Sequence, residues 1–357
     1  MDIQKNWWEL TLCGSQLVRE SIESLETGIS VALTGKTVLP WASFYYDKLK
    51  GATISSTKTF DFVNDKDIEN PGDFILEKYC THDVQSQFWP EPPNYLQAEF
   101  LAETNGTLLN HRFIVVRNFT SEKRFLTWCD FSSRYIKRSK QIGKEGSEYG
   151  TFILDAAGMV DSYDSTYIKS LSLAPRDVDL LTYNLLNTSE TYNNYVLNRY
   201  AAEFISELCD YNLELSGFLA QRDDLISSPV KAYTFCCDNV GITDNRATDE
   251  QVLSAAIMAQ YKVLFPLIEQ RRHDIIIKYY DSILKCLPWK NDYSEMKSAP
   301  FDMELRDLVF KSDEFGLSKE DKITAVALRD VRNQLAHSHL LTYGEICVLI
   351  DQIKITK

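Results

Sequence analysis

The sequence predicts an α/β domain with a largely parallel sheet at its N-terminus, a helical or winged-helix connector, and an all-α four-helix bundle at its C-terminus. Three observations lead there. Residues 1–165 alternate short apolar runs with segments of helical length, the rhythm of strands joined by crossover helices. From residue 177 to 222 the apolar residues fall instead at spacings of three and four. From Thr248 onward, capping signals open helical segments joined by short connections, for which an antiparallel bundle is the economical arrangement. A chain of 357 residues exceeds one ordinary core. The expected divisions are 1–165, 166–247 and 248–357.

In chain order, the β-branched and aromatic runs 29–33, 60–63, 113–116 and 151–154 have strand length. Asn70, Pro71, Gly72 and Asp73 form a turn that caps a helix over 74–79, Asn being able to accept from the first helical amides. A breaker cluster at Trp89, Pro90, Pro92 and Pro93 precedes a helix at 95–102, and 141–150 is polar enough for a surface loop. In the connector, Val196, Tyr200, Phe204, Leu208, Tyr211 and Leu215 make one helical stripe, while weak strand signals at 228–236 suggest a wing. Thr248, Asp249, Glu250 and Gln251 form a capping box for a helix running to about residue 287. Pro266, inside it, is expected to kink or divide it, and Pro288 ends it. A short helix follows at 302–311, Ser318 caps a longer one through His337, and 343–353 supplies the last.

Composition narrows the function classes. Hydrophobic content of 44% and charged content of 25%, with 18 Phe, 19 Tyr and 6 Trp, are those of a folded globular chain. The eight cysteines (Cys13, Cys80, Cys129, Cys209, Cys236, Cys237, Cys286 and Cys347) form no C-x-x-C pair and have no His at zinc-ligand spacing, so they read as buried thiols with no metal or other cofactor implied. The N-terminus lacks the basic and apolar regions of a secretory signal, and no run approaches 18 apolar residues. A cytoplasmic location away from membranes is expected. The net charge of −13 argues against general affinity for a phosphate backbone. From residue 249 onward, however, 15 Lys and Arg face 17 Asp and Glu, so the C-terminal part holds only −2 of that charge.

Thr34, Gly35, Lys36 and Thr37 follow the first strand and match the end of a P-loop, G-K-[ST]. A working P-loop also needs a glycine five positions before Gly35, where Ser30 stands. It further needs an acidic residue after a second apolar strand to hold Mg²⁺, but 113–116 is followed by Arg117 and Asn118. Nucleotide hydrolysis is therefore not expected, and binding alone stays open. The order of the run 29–33 leading into Leu39, Pro40 and Trp41, then Asn70 to Asp73, then 113–116 and 151–154 resembles the inactive STAND-type NTPase modules (iSTAND) found beside effector domains in bacterial conflict proteins. The resemblance covers about 165 residues. Another α/β domain with a chance G-K-T is the alternative.

The segment Arg332, Asn333, Gln334, Leu335, Ala336, His337 closes a helix in which Ile323, Ala327, Val331 and Leu335 recur every four residues. Arg332 can reach toward the imidazole of His337 at the helix end. That pair suits metal-free RNA cleavage: an imidazole moves the 2′-hydroxyl or leaving-group proton, a guanidinium fork stabilises the phosphate, and Asn333 supports the scissile group. The hexapeptide resembles the R-x4-6-H signature of the HEPN superfamily in its R-N-x-x-A-H form. The helical setting of residues 249–357 is similar as well, as are 261–272, the Leu287 and Pro288 stop, and 300–305 with Glu304. The resemblance implies a metal-independent endoribonuclease acting as an effector in a bacterial defence or toxin system, completed in a homodimer and restrained by its N-terminal half or by a partner protein. It further implies that Arg332 binds the scissile phosphate, His337 acts as general acid or base, Asn333 supports them and Glu304 orients one of them. Two other readings stay open: a non-catalytic adaptor or dimerisation protein, and a nucleotide-sensing switch. His339 reads as a surface loop residue, and Arg271, Arg272 and His273 as a solvated helix face with the alternative of an RNA groove.

Overall fold

The computed structural model describes residues 2–53, 57–89, 96–290 and 294–353, and the chain divides into two compact units, Asp2–Asp179 and Leu180–Lys357. In the first unit, five strands, β1 (Ser30–Thr34), β2 (Thr59–Asn64), β3 (Arg112–Arg117), β4 (Thr151–Asp155) and β5 (Ile168–Ser172), form one all-parallel sheet of order β2-β3-β4-β1-β5. Helices pack around it: α1 (Leu12–Glu26) ahead of β1, and the crossover helices α2 (Ala42–Ala52), α3 (Pro71–Tyr79), α4 (Gln97–Glu103) and α5 (Glu122–Gln141) between successive strands. β1, β3 and β4 lie in the middle of the sheet and are buried along their length, which is why they read as unbroken apolar runs. Ile114, Val116, Phe152 and Leu154 pack with Phe125, Trp128 and Tyr135 of α5 in the core.

Asn70 caps α3 as expected, its side-chain oxygen accepting from the amides of Gly72 (2.8 Å) and Asp73 (3.3 Å). Of the expected breaker cluster and helix start, residues 90–95 lie outside the described residues, and α4 begins at Gln97. The expected end of the sheet at residue 165 falls short of β5. That edge strand buries only Ile168 and Leu171 and carries Lys169, Ser170 and Ser172 between and beside them, so no apolar run marks it.

The second unit is helical. After α6 (Asp177–Thr188), whose first turn holds the boundary, come α7 (Tyr195–Cys209), α8 (Leu213–Ala220), α9 (Pro229–Asn239), α10 (Asp249–Lys278), α11 (Tyr280–Lys285), α12 (Leu305–Phe310), α13 (Lys319–Ala336) and α14 (Tyr343–Ile353). No wing exists at 228–236, because α9 occupies it. Pro229 sits in its first turn, and Ala232, Tyr233, Cys236 and Cys237 fall on one buried helical face despite the β-prone Val230, Tyr233, Thr234 and Phe235. The helices expected to form a separate connector share one core with the bundle, running from Val196 and Phe204 through Leu264 and Ile276 to Leu328, Leu335 and Leu349.

α10 is the spine of this unit, packed along α7 and α13. Its capping box forms as expected, with the Thr248 and Gln251 side chains bonded to each other's backbone amides. Pro266 does not divide it. Pro266 and Lys262 both lie on the exposed side of the helix, where a missing backbone hydrogen bond is tolerated best. The helix stops at Tyr279 instead. By length and composition α10 is apolar enough to cross a membrane, yet Val252, Ala256, Ala259, Leu264, Ile268, Ile275 and Ile276 all spend their apolar surface inside this core. Of the eight thiols, none paired, Cys129, Cys209, Cys236 and Cys237 are buried, whereas Cys13, Cys80, Cys286 and Cys347 are only half-buried.

Candidate functional site

α13 carries the hexapeptide, and α10 fixes it at both ends. At its start, the Ser318 hydroxyl accepts from the amide of Asp321 (3.1 Å). The Asp321 carboxylate, buried to 3% exposure, receives Lys278 Nζ (2.5 Å), the Tyr279 hydroxyl (2.7 Å) and the Ser318 hydroxyl (2.7 Å) on one oxygen, while Arg271 stands 3.5 Å from the other. Burial alone would raise its pKa, but these hydrogen bonds and the Lys278 charge outweigh it and hold the carboxyl down at about 2.

At the other end, His337 is the C-cap and Ser338 follows with a left-handed φ of 55°. The amide of Ser338 donates to Leu335 O (2.7 Å) and that of His339 to Gln334 O (3.0 Å), the paired bonds of a Schellman turn. Two neighbours on α10 lock this turn. The Tyr261 hydroxyl donates to Leu335 O, and the fully buried Gln260 amide both donates to Leu341 O (2.9 Å) and accepts from Leu341 N (2.9 Å). Tyr261, the first residue of the segment 261–272 that the sequence singles out, thus holds the exit of the hexapeptide.

Arg332, Asn333, His337 and Glu304 line one open cleft of about 750 Å³. All four are exposed at its wall, so the guanidinium and imidazole face solvent. α13 supplies Arg329, Arg332, Asn333 and His337; the start of α12 supplies Glu304, Leu305 and Arg306; α10 supplies Glu269 and Arg272; the 3₁₀ turn Pro300–Asp302 supplies Phe301 and Asp302. Arg272 is committed to Glu269 (2.8 Å) and to the carbonyl of Met303 (2.7 Å), and Arg329 to Asp330 (2.7 Å). Among the described residues no carboxylate or hydrogen bond holds Arg332. Nor does any hydrogen bond or ion pair among them join Glu304 to Arg332 or His337; the amide of Glu304 donates to Asp307 (3.0 Å). Backbone amides of Ser298 and Ala299 fix the Asp302 carboxylate and keep its pKa below the usual range. No family model, curated protein or solved structure matches this chain.

Arg271 and Arg272 do not form the solvated helix face that their neighbourhood suggests. Arg271 reaches Asp321 and Arg272 lines the cleft, both half-buried, and only His273 is exposed. His339 is exposed, its ring centroid 6.4 Å from that of His337. Sequence reasoning missed Arg306, Arg329 and Phe301 as cleft residues. Arg329 lies three positions before Arg332 and so shares its face, a signal that was available. Arg306 and Phe301 reach the cleft only through tertiary packing. Among the described residues no group of three or more His, Cys, Asp or Glu is placed to hold a metal ion.

In the first unit, the loop after β1 is already engaged. Ser30 is buried in β1, its hydroxyl accepting from the amide of Phe152 (2.9 Å). The amide of Gly35 donates to Val160 O (2.8 Å) and its carbonyl accepts from Gly158 N (2.8 Å). Lys36 and Thr37 are exposed, and α2 starts only at Ala42, so no helix N-terminus directly follows the G-K-T. Arg117, after β3, lies over the rings of Phe62 (4.9 Å) and Tyr46 (5.7 Å) where a Mg²⁺-holding acid would be required.

Proposed function

We propose that this chain is a metal-independent endoribonuclease of the HEPN type, with Arg332 and His337 as its reacting pair and the N-terminal α/β unit in a regulatory or partner-binding role. The observation that carries the reading is the convergence of Arg332, Asn333, His337 and Glu304 in one exposed cleft, with Arg332 not bound to any carboxylate among the described residues. An unpaired guanidinium fork is available for a phosphate, whereas one engaged by carboxylates, like that of Arg272, is already neutralised.

In the proposed reaction the 2′-oxygen attacks the adjacent phosphorus and the bond from phosphorus to the 5′-oxygen breaks, leaving a 2′,3′-cyclic phosphate and a 5′-hydroxyl. An imidazole takes the 2′-hydroxyl proton or returns one to the departing 5′-oxygen, and Arg332 stabilises the charge that grows on the phosphate. One imidazole cannot be both base and acid in the same instant. A homodimer through the helical unit, with an Arg and a His from each chain, supplies both roles, and Asn333 holds the scissile group. The wider setting we propose is a bacterial conflict system, for defence against phage or as a toxin, in which a partner protein or the acidic N-terminal unit restrains cleavage.

The test is incubation of the dimeric protein with tRNA and mRNA in EDTA. Cleavage is expected to persist under chelation and to disappear in Arg332→Ala and His337→Ala. A folded dimer that never cuts RNA refutes the reading and leaves the adaptor role. The three carboxylates of Glu269, Asp302 and Glu304 on the cleft wall favour that second reading, since they oppose a polyanion.

A further inference from the structure

The cleft that holds Arg332 and His337 carries both arginines and carboxylates on its wall, and Phe301 lines it with 47% of its surface exposed. That position is fixed by its backbone. Arg272 donates to the carbonyls of Phe301 (3.5 Å) and Met303 (2.7 Å), and Asp302 anchors the same turn through the amides of Ser298 and Ala299. The ring itself meets His273 at 5.5 Å and Tyr280 at 6.0 Å between centroids, with interplanar angles of 56° and 53°. Both neighbours approach at a tilt, and neither stacks parallel on it.

A fixed, exposed aromatic ring beside phosphate-binding cations is how proteins take up an unpaired base: the ring stacks on the base while the cations follow the backbone. Duplex RNA keeps its bases stacked on one another and has no free face to offer. Resting on the ribonuclease reading, we infer that Phe301 is the stacking platform for an unpaired base next to the scissile phosphate. Phe301 is a specificity residue here, and bond breaking is left to Arg332 and His337.

The test uses the full-length protein and a fluorescent, 2′-O-methylated 12-mer, which binds without being cut, compared with an abasic strand of the same charge and with a duplex. Single-strand binding is expected to exceed abasic and duplex binding by roughly ten- to a hundredfold. Phe301→Ala and the similarly sized Phe301→Leu should lose that margin, and Phe301→Trp should keep it. Circular dichroism shows whether each variant is folded, and the Leu and Trp pair decides the matter if the Ala variant is not. Equal binding of the single strand by wild type and Phe301→Leu, with Arg332→Ala still weakening it, overturns the stacking role and leaves the ribonuclease reading intact. Absence of any binding by the wild type overturns both.

Discussion

Asp321→Asn removes the charge that ties the start of α13 to the end of α10. In the folded protein this carboxyl is held at about 2, against roughly 3.9 in an unfolded chain, a gap equivalent to roughly 2–3 kcal/mol. Because the folded value is the lower one, the contribution is complete above pH ~4 and is lost as pH falls through ~2. It should fall to about half of that at pH ~3 and to a small remainder at pH ~2. Urea denaturation of wild type and Asp321→Asn at pH 7 and pH 3 isolates this group from the other carboxylates, which titrate alike in both. The wild type is expected to be about 2–4 kcal/mol the more stable at pH 7, since Lys278 and Tyr279 also lose their partner, with the advantage shrinking by about 1 kcal/mol at pH 3. A pH-independent difference, or one below ~0.5 kcal/mol at neutrality, refutes the claim that this buried carboxylate anchors the site helix.

Gln260→Leu strands the buried amide and carbonyl of Leu341 and is expected to cost about 2–4 kcal/mol in the same denaturation assay. RNA cleavage should fall with it, since the turn after His337 loosens. Ser338→Gly should raise stability by about 0.5–1 kcal/mol, because glycine accepts the φ of 55° that serine tolerates poorly, although the 3.2 Å contact with the Tyr261 hydroxyl is lost; a lowered melting temperature contradicts this. Millimolar ATP or GTP is expected to leave the melting temperature within about 1 °C, since Gly35 has spent its amide and carbonyl on residues 158 and 160. A larger upward shift revives the nucleotide-sensing switch.

What the sequence revealed follows from where the signals are local. β1, β3 and β4 are buried on both faces and show as continuous apolar runs, and the caps at Asn70, Thr248 and Ser318 act within three residues of themselves. β5 escaped because an edge strand needs only Ile168 and Leu171 inside. α9 misled because its aromatic and branched residues favour strands one by one, while their burial follows a helical period. Pro266 does not divide α10, since it lies on the exposed side of the helix. In the site, the spacing from Arg332 to His337 was legible, being fixed by one helix. The participation of Arg306 and Phe301 was not, since α12 and the turn before it join the cleft from a separate part of the chain. Arg271 looked solvated because its carboxylate partner, Asp321, lies fifty residues away in sequence.

The most direct measurement is the chemistry of the ends left on RNA after incubation with the protein in EDTA. Fragments bearing a 2′,3′-cyclic phosphate and a 5′-hydroxyl, abolished by either Arg332→Ala or His337→Ala in folded protein, are predicted. Intact RNA after exposure to a folded wild-type dimer, or fragments that persist unchanged in His337→Ala, would contradict it.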